Sequence, residues 1–166
     1  MIITDFSRGN DIFAFTAKAN VWGSSANVDV ILDDDTPRNK HTIEKIYPVI
    51  DKIVQRVDMK RQKIERALLD DGWVETAEEW ASEGKASKQE QGCYIMEDGN
   101  KVYLPLSDDD FCDSLYVESV CIYFDEELDA NDVTVYLVCT PDYFSGRAIT
   151  LFLDSDGDIQ IKGLEN

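Results

Sequence analysis

The feature that most constrains this fold is a series of four apolar runs in the C-terminal third of the chain. They read SLYVESVCIYF, VTVYLVC, RAITLFLD and DIQIK, and polar turns separate them. Such runs predict a meander of β-strands. Apolar residues occupy both the odd and the even positions of these runs, so we expect both faces of the sheet to be covered. A helix can cover one face, and an N-terminal hairpin, a further subunit or a partner must cover the other.

Two further hairpins are predicted. In the first, apolar residues alternate along Asp11 to Val21 and again through Val28, Val30 and Leu32, with a Gly-Ser-Ser turn between the two runs. This alternation is typical of strands with one apolar face. The second hairpin is GCYIMEDGNKVYLP, in which Asp98-Gly99 supplies the positive φ that a tight turn needs.

A long helix is predicted between these hairpins. From Ile43 to Asp71 the apolar residues follow a helical spacing with one buried stripe. Thr42 can cap this helix, Pro48 is expected to restart or kink it, and TAEEWASEG predicts a shorter helix. We therefore expect one domain over residues 1–166, of the α+β class. It should have a mainly antiparallel, twisted sheet of about six to eight strands, one long helix packed on a face, and a C-terminal strand meander.

Charge limits the partners of this chain. It has 34 acidic and 16 basic residues and a formal net charge of −18. A folded protein this acidic repels nucleic acid and anionic membranes, and it attracts basic surfaces. Solubility alone could also explain the charge.

Four scattered cysteines, Cys93, Cys112, Cys121 and Cys139, form no C-x-x-C pair. Free, buried thiols in a reducing cytosol fit this pattern best. The N-terminal sequence has no basic head followed by an apolar run, and no segment reaches the ~20 apolar residues of a membrane span. These observations predict a cytoplasmic protein.

The candidate binding residues lie in an acidic tract. Between Val102 and Gly146 the sequence has no Lys, Arg or His. Most of its acids lie in two predicted turns, SDDDFCD and DEELDAND, which should sit at opposite ends of the strand Leu115 to Phe124. Aromatic residues among them could anchor a partner. The predicted partner-binding residues are Asp108, Asp109, Asp110, Asp113, Tyr116, Tyr123, Asp125, Glu126, Glu127 and Asp129.

The stretch DSDGD, Asp154 to Asp158, resembles a calcium loop. An EF-hand loop has glycine at position six, where this chain has Ile159, and it is flanked by helices rather than by alternating residues. A hairpin turn with left-handed Gly157 explains every residue. The turn is therefore the preferred interpretation, and a metal site at Asp154, Asp156 and Asp158 is the alternative.

Catalytic patterns are weak. The single histidine, His41, stands beside the predicted helix cap without a triad-like signature, and no glycine-rich phosphate loop occurs. The sequence predicts no cofactor. Two rival functions stay open: a metal-dependent hydrolase that uses the clustered aspartates, and a self-associating structural subunit whose second sheet face pairs with itself. Whether the protein is a monomer or a dimer is also open.

The last fifth of the chain resembles the closing strands of a group of small bacterial domains, the domain of unknown function 2262. Their pattern has an aromatic residue, a glycine and a histidine before an alternating strand, an acidic glycine turn and a last strand that ends near glycine. Arg147 stands where the histidine is expected, which weakens any role for that position. The matching residues are Phe144, Gly146, Ile149, Leu151, Leu153, Asp156, Gly157 and Gly163.

Small acidic α+β proteins of this kind are often similar to immunity proteins, which neutralise a toxin. The resemblance thus implies a cytoplasmic inhibitor of a basic partner, such as a toxin nuclease whose cationic active cleft it covers. The charge of the chain agrees with this implication.

Overall fold

Strands form the larger part of the regular structure. The computed structural model describes residues 3–9, 13–86, 90–154 and 156–165, and for residues 3–6 and 86 it describes the backbone only. The strands of these described residues, in chain order, are β1 (Ile3–Arg8), β2 (Phe15–Val21), β3 (Ser24–Leu32), β4 (Lys85–Ala86), β5 (Cys93–Ile95), β6 (Lys101–Tyr103), β7 (Leu115–Phe124), β8 (Ala130–Cys139), β9 (Ala148–Leu153) and β10 (Ile159–Glu165).

The main sheet of the described chain has seven strands in the order β1-β2-β3-β7-β8-β9-β10. The four C-terminal strands pair antiparallel in succession, which confirms the predicted meander. The predicted hairpin is β2 and β3, paired antiparallel around Gly23. Asp11 and Ile12, with which the first predicted run began, lie outside the described residues. The α+β prediction is confirmed.

One strand pair in the main sheet is parallel. β3 lies beside β7, with Asn27 opposite Ser119 and Leu32 opposite Phe124. A parallel pair requires a long crossover connection, and here residues 33–114 supply it. The N-terminal hairpin therefore extends the main sheet sideways. It does not cover the second face of the sheet, although the sequence had indicated it as one of the possible covers.

The predicted long helix is divided in two. The backbone N–H of Lys60 donates to the carbonyls of Arg56 at 3.1 Å and Val57 at 3.2 Å, and Lys60 is the turn residue between the two helices. The prediction of a shorter helix within TAEEWASEG is confirmed, although this helix begins earlier, at Trp73. The helices of the described residues are α1 (Lys40–Met59), α2 (Arg61–Asp70), α3 (Trp73–Ser82) and α4 (Asp108–Ser114).

The start of α1 differs from its prediction. Asn39, and not Thr42, is the capping residue: its side-chain oxygen accepts a hydrogen bond from the Thr42 N–H at 3.1 Å. Asparagine caps helices well because its short side chain reaches the free N–H groups of the first turn. Pro48 lies inside α1, which continues without a break to Met59.

Helices α1 and α2 pack on one face of the main sheet, here called the helical face. Apolar side chains of α1 such as Ile50 and Val54 are fully buried, as are Val120 and Ile122 of β7. Burying one such side chain stabilises the fold by roughly 1.5 to 3 kcal/mol. The Trp22 indole N–H donates to the carbonyl of Val57 at 3.1 Å and so fixes the β2–β3 turn against the end of α1.

A second, three-stranded sheet has the order β4-β5-β6 and includes the predicted β5–β6 hairpin. Gly99 in its turn has φ 82°, as expected. An aromatic cluster lies between α3 and the β8–β9 loop, where the Phe144 ring centre is 5.8 Å from that of Trp73 and 6.2 Å from that of Trp80. This cluster fixes the loop at one end of the main sheet.

Candidate protein-binding surface

The face of the main sheet opposite the helices is here called the open face. Along the central strands the helical-face side chains are buried, whereas those between them are half-buried. The two predicted aromatic anchors, Tyr116 and Tyr123, both lie on the open face. Across the sheet a row on this face consists of Asp29, Cys121, Thr134 and Phe152.

Further aromatic groups on the open face were not predicted as site residues. Tyr136 of β8 lies opposite Ser119 of β7 and Thr150 of β9. The Lys162 ammonium lies 5.5 Å from the centre of the Phe152 ring. The sequence already placed Tyr136 in a predicted strand with apolar residues at both odd and even positions. Knowledge of the strand register would have been enough to assign Tyr136 to this face.

One end of the open face carries more acid than was predicted. Because β3 and β7 are parallel, the loops that follow them meet: the Asp33 N–H donates to the Phe124 carbonyl at 3.0 Å. The Tyr123 hydroxyl donates to the Asp33 carboxylate at 3.3 Å. Partial burial and then this carboxylate raise the pKa of Tyr123. The acidic residues at this end, where the chain leaves β3 and β7, are called the exit cluster. They are Asp33, Asp34, Asp35, Asp125, Glu126, Glu127, Asp129 and Asp132.

Within the exit cluster, Asp125 organises the turn that carries its neighbours. Its carboxylate accepts hydrogen bonds from the N–H groups of Glu127 and Asp129, each at 2.9 Å, and from the Asn131 amide at 2.8 Å. The bond from Asp129 is the largest cause of the lowered pKa of Asp125. Glu126, Glu127 and Asp129 are exposed. Asp125 therefore positions these three carboxylates toward solvent.

The opposite end of β7 carries the entry cluster, Asp108, Asp109, Asp110 and Asp113, on a segment that borders α2, since the Arg61 guanidinium donates to the Cys112 carbonyl at 3.4 Å. The prediction of a turn here was wrong, because the segment is α4. Ser107 caps it: its Oγ accepts from the Asp110 N–H at 3.1 Å and its hydroxyl donates to the Asp110 carboxylate at 2.6 Å. Acids in a first helical turn also interact favourably with the helix dipole. The Ser-x-x-Asp spacing, which resembles a capping box, was the signal for this helix.

All four entry-cluster carboxylates are exposed. β7 begins directly after α4 and pairs antiparallel with β8, from Leu115 opposite Cys139 to Phe124 opposite Ala130. The two groups of predicted acids therefore lie at opposite ends of β7, as predicted. Their role in binding stays a prediction.

The turn at DSDGD is confirmed as a β-hairpin connection between β9 and β10. The Asp154 carboxylate accepts from the Asp158 N–H at 2.7 Å, and Gly157 has φ 79°. The Asp158 carboxylate forms a salt bridge of 3.1 Å with Lys63 of α2. Ser155 lies outside the described residues. Among the residues that the structure describes, no group of three or more His, Cys, Asp or Glu side chains is placed to hold a metal ion.

The four cysteines are free thiols, of which Cys93 and Cys139 are buried while Cys112 and Cys121 are half-buried. Burial, with a smaller contribution from the Asp29 carboxylate, raises the pKa of Cys121 to about 11. This thiol therefore stays protonated near neutral pH and is a poor nucleophile. His41 is exposed. Within the described part of the chain, no helix is both long and apolar enough to cross a membrane.

These observations define an α+β protein with one helix-covered face, one open, aromatic face, and acidic clusters at the two ends of the central strand β7. A sequence model for a family described as "Uncharacterized protein conserved in bacteria (DUF2262)" matches residues 2–164. The chain belongs to this family, and the resemblance first seen in its last fifth extends over nearly its whole length. No curated protein and no solved structure matched the chain.

Proposed function

We propose that this chain is a cytoplasmic binding protein that captures a basic protein on its open face. The observation that carries the proposal is the position of two acidic clusters at the two ends of β7, whose Tyr116 and Tyr123 lie on the half-buried open face. In an immunity protein, such a surface would cover the cationic active cleft of a toxin, for example a toxin nuclease. The open-face tyrosines would serve as anchors, because aromatic side chains dominate the energetics of many interfaces.

The distribution of charge supports this proposal. The exit cluster lies at the ends of the central strands β3, β7 and β8, whereas Lys18 and Lys162 of the open face lie toward the sides, on β2 and β10. On the helices of the other face Lys52, Lys63 and Arg66 are exposed, whereas Lys45 and Arg56 of α1 line hollows with Glu126 and Asp129 of the exit cluster. A cationic partner is thus attracted to the exit end of the central strands, where acids outnumber basic residues.

The same geometry disfavours a second copy of this chain as the occupant of the open face. Acidic clusters lie at both ends of β7, so a symmetric pair would bring acids near acids whether its strands ran parallel or antiparallel. Like charges in contact across an interface cost several kcal/mol. Anionic nucleic acid and membranes meet the same repulsion. A basic protein is the class of partner that this surface fits best.

The proposal is tested with the product of the gene that directly precedes this one, since an immunity protein is encoded beside its toxin. A triple variant of the exit cluster, Glu126→Gln/Glu127→Gln/Asp129→Asn, keeps Asp125 and hence the turn. The matched control, Glu44→Gln/Asp70→Asn/Glu79→Gln, removes the same charge from exposed helix positions. Association is followed by stopped flow at about 50 mM and about 300 mM NaCl.

We expect the exit-cluster variant to associate about tenfold more slowly at low salt, with a smaller difference at high salt, because steering by charge is screened. The control should associate at nearly the rate of the unaltered chain. Equal rates for the two variants at low salt would show that the charge serves solubility, and the proposal would fail.

A further inference from the structure

A groove of about 460 Å³ lies beside the entry end of the main sheet, between the end of α3, β5 and the β8–β9 loop. We propose that this groove receives an extended segment of the basic partner, with a Lys or Arg side chain against its acidic rim and an apolar side chain against its wall. The inference rests on the proposed function and adds a second, separate contact to it. The volume of the groove lies within the range of about 300 to 1,000 Å³ typical of ligand sites.

The groove is lined by apolar and acidic groups. Trp80 is half-buried, Met96 is 6% exposed and Tyr143 is 3% exposed, while Ile95 is 40% exposed. Ile95 is one of only three large hydrophobic side chains that the described residues expose. Trp80, Ile95 and Met96 thus give the groove an apolar wall that is partly open to solvent.

The rim of the groove is negative. Among the described residues, Glu83, Glu97 and Asp142 line it together with Lys85. The Arg147 guanidinium lies 5.1 Å from the centre of the Trp80 ring, so this indole already takes part in a cation–π contact. An incoming Lys or Arg would meet the rim carboxylates, whereas an anionic segment would be repelled. A second copy of this chain, with 34 acidic residues against 16 basic, is a poor source of such a segment.

The walls of the groove are fixed. A Cβ atom on Gly84 would lie 2.9 Å from the Ala81 carbonyl oxygen of α3 and 3.1 Å from the Ile95 carbonyl oxygen of β5, so glycine favours the close approach of the end of α3 to β5. The Asp142 N–H donates to the Asp98 carboxylate at 2.9 Å, which ties the β5–β6 turn to the β8–β9 loop. A preformed groove can bind an extended segment without the loss of conformational entropy that ordering its own walls would require.

The groove is also connected to the proposed binding surface. Asp142 lines both the groove and a hollow of about 260 Å³ that includes Tyr116, Glu118 and Arg147. Tyr116 belongs to the open face. A partner seated on the open face can therefore extend a segment past Tyr116 and Asp142 into the groove.

The probes are three labelled hexapeptides: Gly-Arg-Leu-Arg-Leu-Gly, its counterpart with Glu in place of Arg, and its counterpart with Ser in place of Leu. Binding is measured by fluorescence anisotropy and located by amide NMR signals of Gly84, Ile95 and Ser145. The variants are Glu83→Gln/Glu97→Gln at the rim and Ile95→Ser at the wall. The control, Glu44→Gln/Asp70→Asn, removes two charges from helix positions outside both proposed sites.

We expect the Arg-Leu peptide to bind saturably and to shift the groove signals, and the other two peptides to bind more weakly. The rim and wall variants should each weaken its binding about tenfold, and the control by less than about twofold. Equal weakening by rim variant and control would show bulk attraction only. Shifts confined to the open face, or no saturable binding, would also overturn the inference.

Failure of this inference is distinguishable from failure of the proposed function. If the rim variant leaves capture of the gene-neighbour protein unchanged while the exit-cluster variant slows it, the groove proposal fails and the open-face proposal stands. If the exit-cluster variant has no effect, the open-face proposal fails, and with it the premise for the groove.

Discussion

The two faces of the main sheet are built from the same strands, yet they differ in chemistry. On β7 the helical face presents Val117, Val120 and Ile122, all fully buried, and the open face presents Tyr116 and Tyr123, both half-buried. Alternation along a strand assigns each residue to one face, so one stretch of sequence can satisfy two demands. The comparison indicates that stability depends mainly on the helical face, which leaves the open face available for recognition.

The largest expected effect is a difference between the two faces in how much a substitution lowers the free energy of unfolding. Ile122→Ala should lower the free energy of unfolding by about 2 to 5 kcal/mol, because it leaves a cavity in the aliphatic core. Tyr123→Ala, at the next position but on the open face, should cost less than half as much. Urea denaturation followed by circular dichroism measures both. Equal losses would mean that the open face is part of the core.

The second prediction concerns binding. Tyr136→Ala should weaken capture of the gene-neighbour protein about tenfold, as expected for a central aromatic anchor, and should change stability by less than about 1 kcal/mol. Calorimetric titration measures the affinity. Leu137→Ala, on the helical face, is the control: once corrected for its unfolded fraction, its affinity should be unchanged. A larger loss of affinity for the Leu137 variant would reverse the assignment of the faces.

A smaller effect concerns the turn that Asp125 organises. Hydrogen bonds lower the pKa of Asp125 in the folded chain. A depressed folded pKa contributes stability above the ordinary carboxyl pKa of about 3.9, and that contribution is lost as pH falls through the folded value. Asp125→Asn should therefore lower Tm at pH ~7, with the difference shrinking below pH ~4. Glu126→Gln, which leaves the turn intact, should not change Tm; a pH-independent difference for Asp125→Asn would contradict the prediction.

The smallest expected effect is chemical. With its pKa raised to about 11, Cys121 should be about one part in a thousand thiolate at pH ~8, and it should react slowly with Ellman's reagent. Its rate should rise about tenfold per pH unit up to pH ~10. The reaction is assigned by comparison with Cys121→Ser. Rapid modification at pH ~8 would show that the centre of the open face is more polar and accessible than its half-buried side chains indicate.

Local patterns were sufficient for most of the fold. Period-two alternation located the strands of both N-terminal and C-terminal hairpins, and the helical spacing located α1 and α2. Three features depended on information outside these patterns: the end of α1 near Lys60, the capping of α4 by Ser107, and the pairing of β3 with β7. The first two are single hydrogen-bonding positions, and the third joins segments far apart in sequence.

The candidate surface was also predicted in part: the residues next to β7 were predicted, and those brought there by distant segments were not. The acids at the two ends of β7 and the positions of Tyr116 and Tyr123 in that strand were found from the sequence, because they adjoin or belong to a recognisable strand; their role in binding stays a prediction. Asp33 to Asp35 were missed as members of the exit cluster, since only the parallel pairing brings them to the end of β7. The groove was also missed. It is formed by α3, β5 and the β8–β9 loop, whose approach depends on close contact at Gly84.

The parallel neighbours β3 and β7 have a consequence for synthesis of the protein. β3 cannot acquire its second neighbour until residues 33–114 have been translated and β7 has left the ribosome. Until then the N-terminal hairpin has an unpaired edge, and α1 has only part of the surface on which it finally packs. Sheets closed by distant segments form slowly, so a nascent chain of this protein passes through a prolonged stage in which a chaperone could hold it.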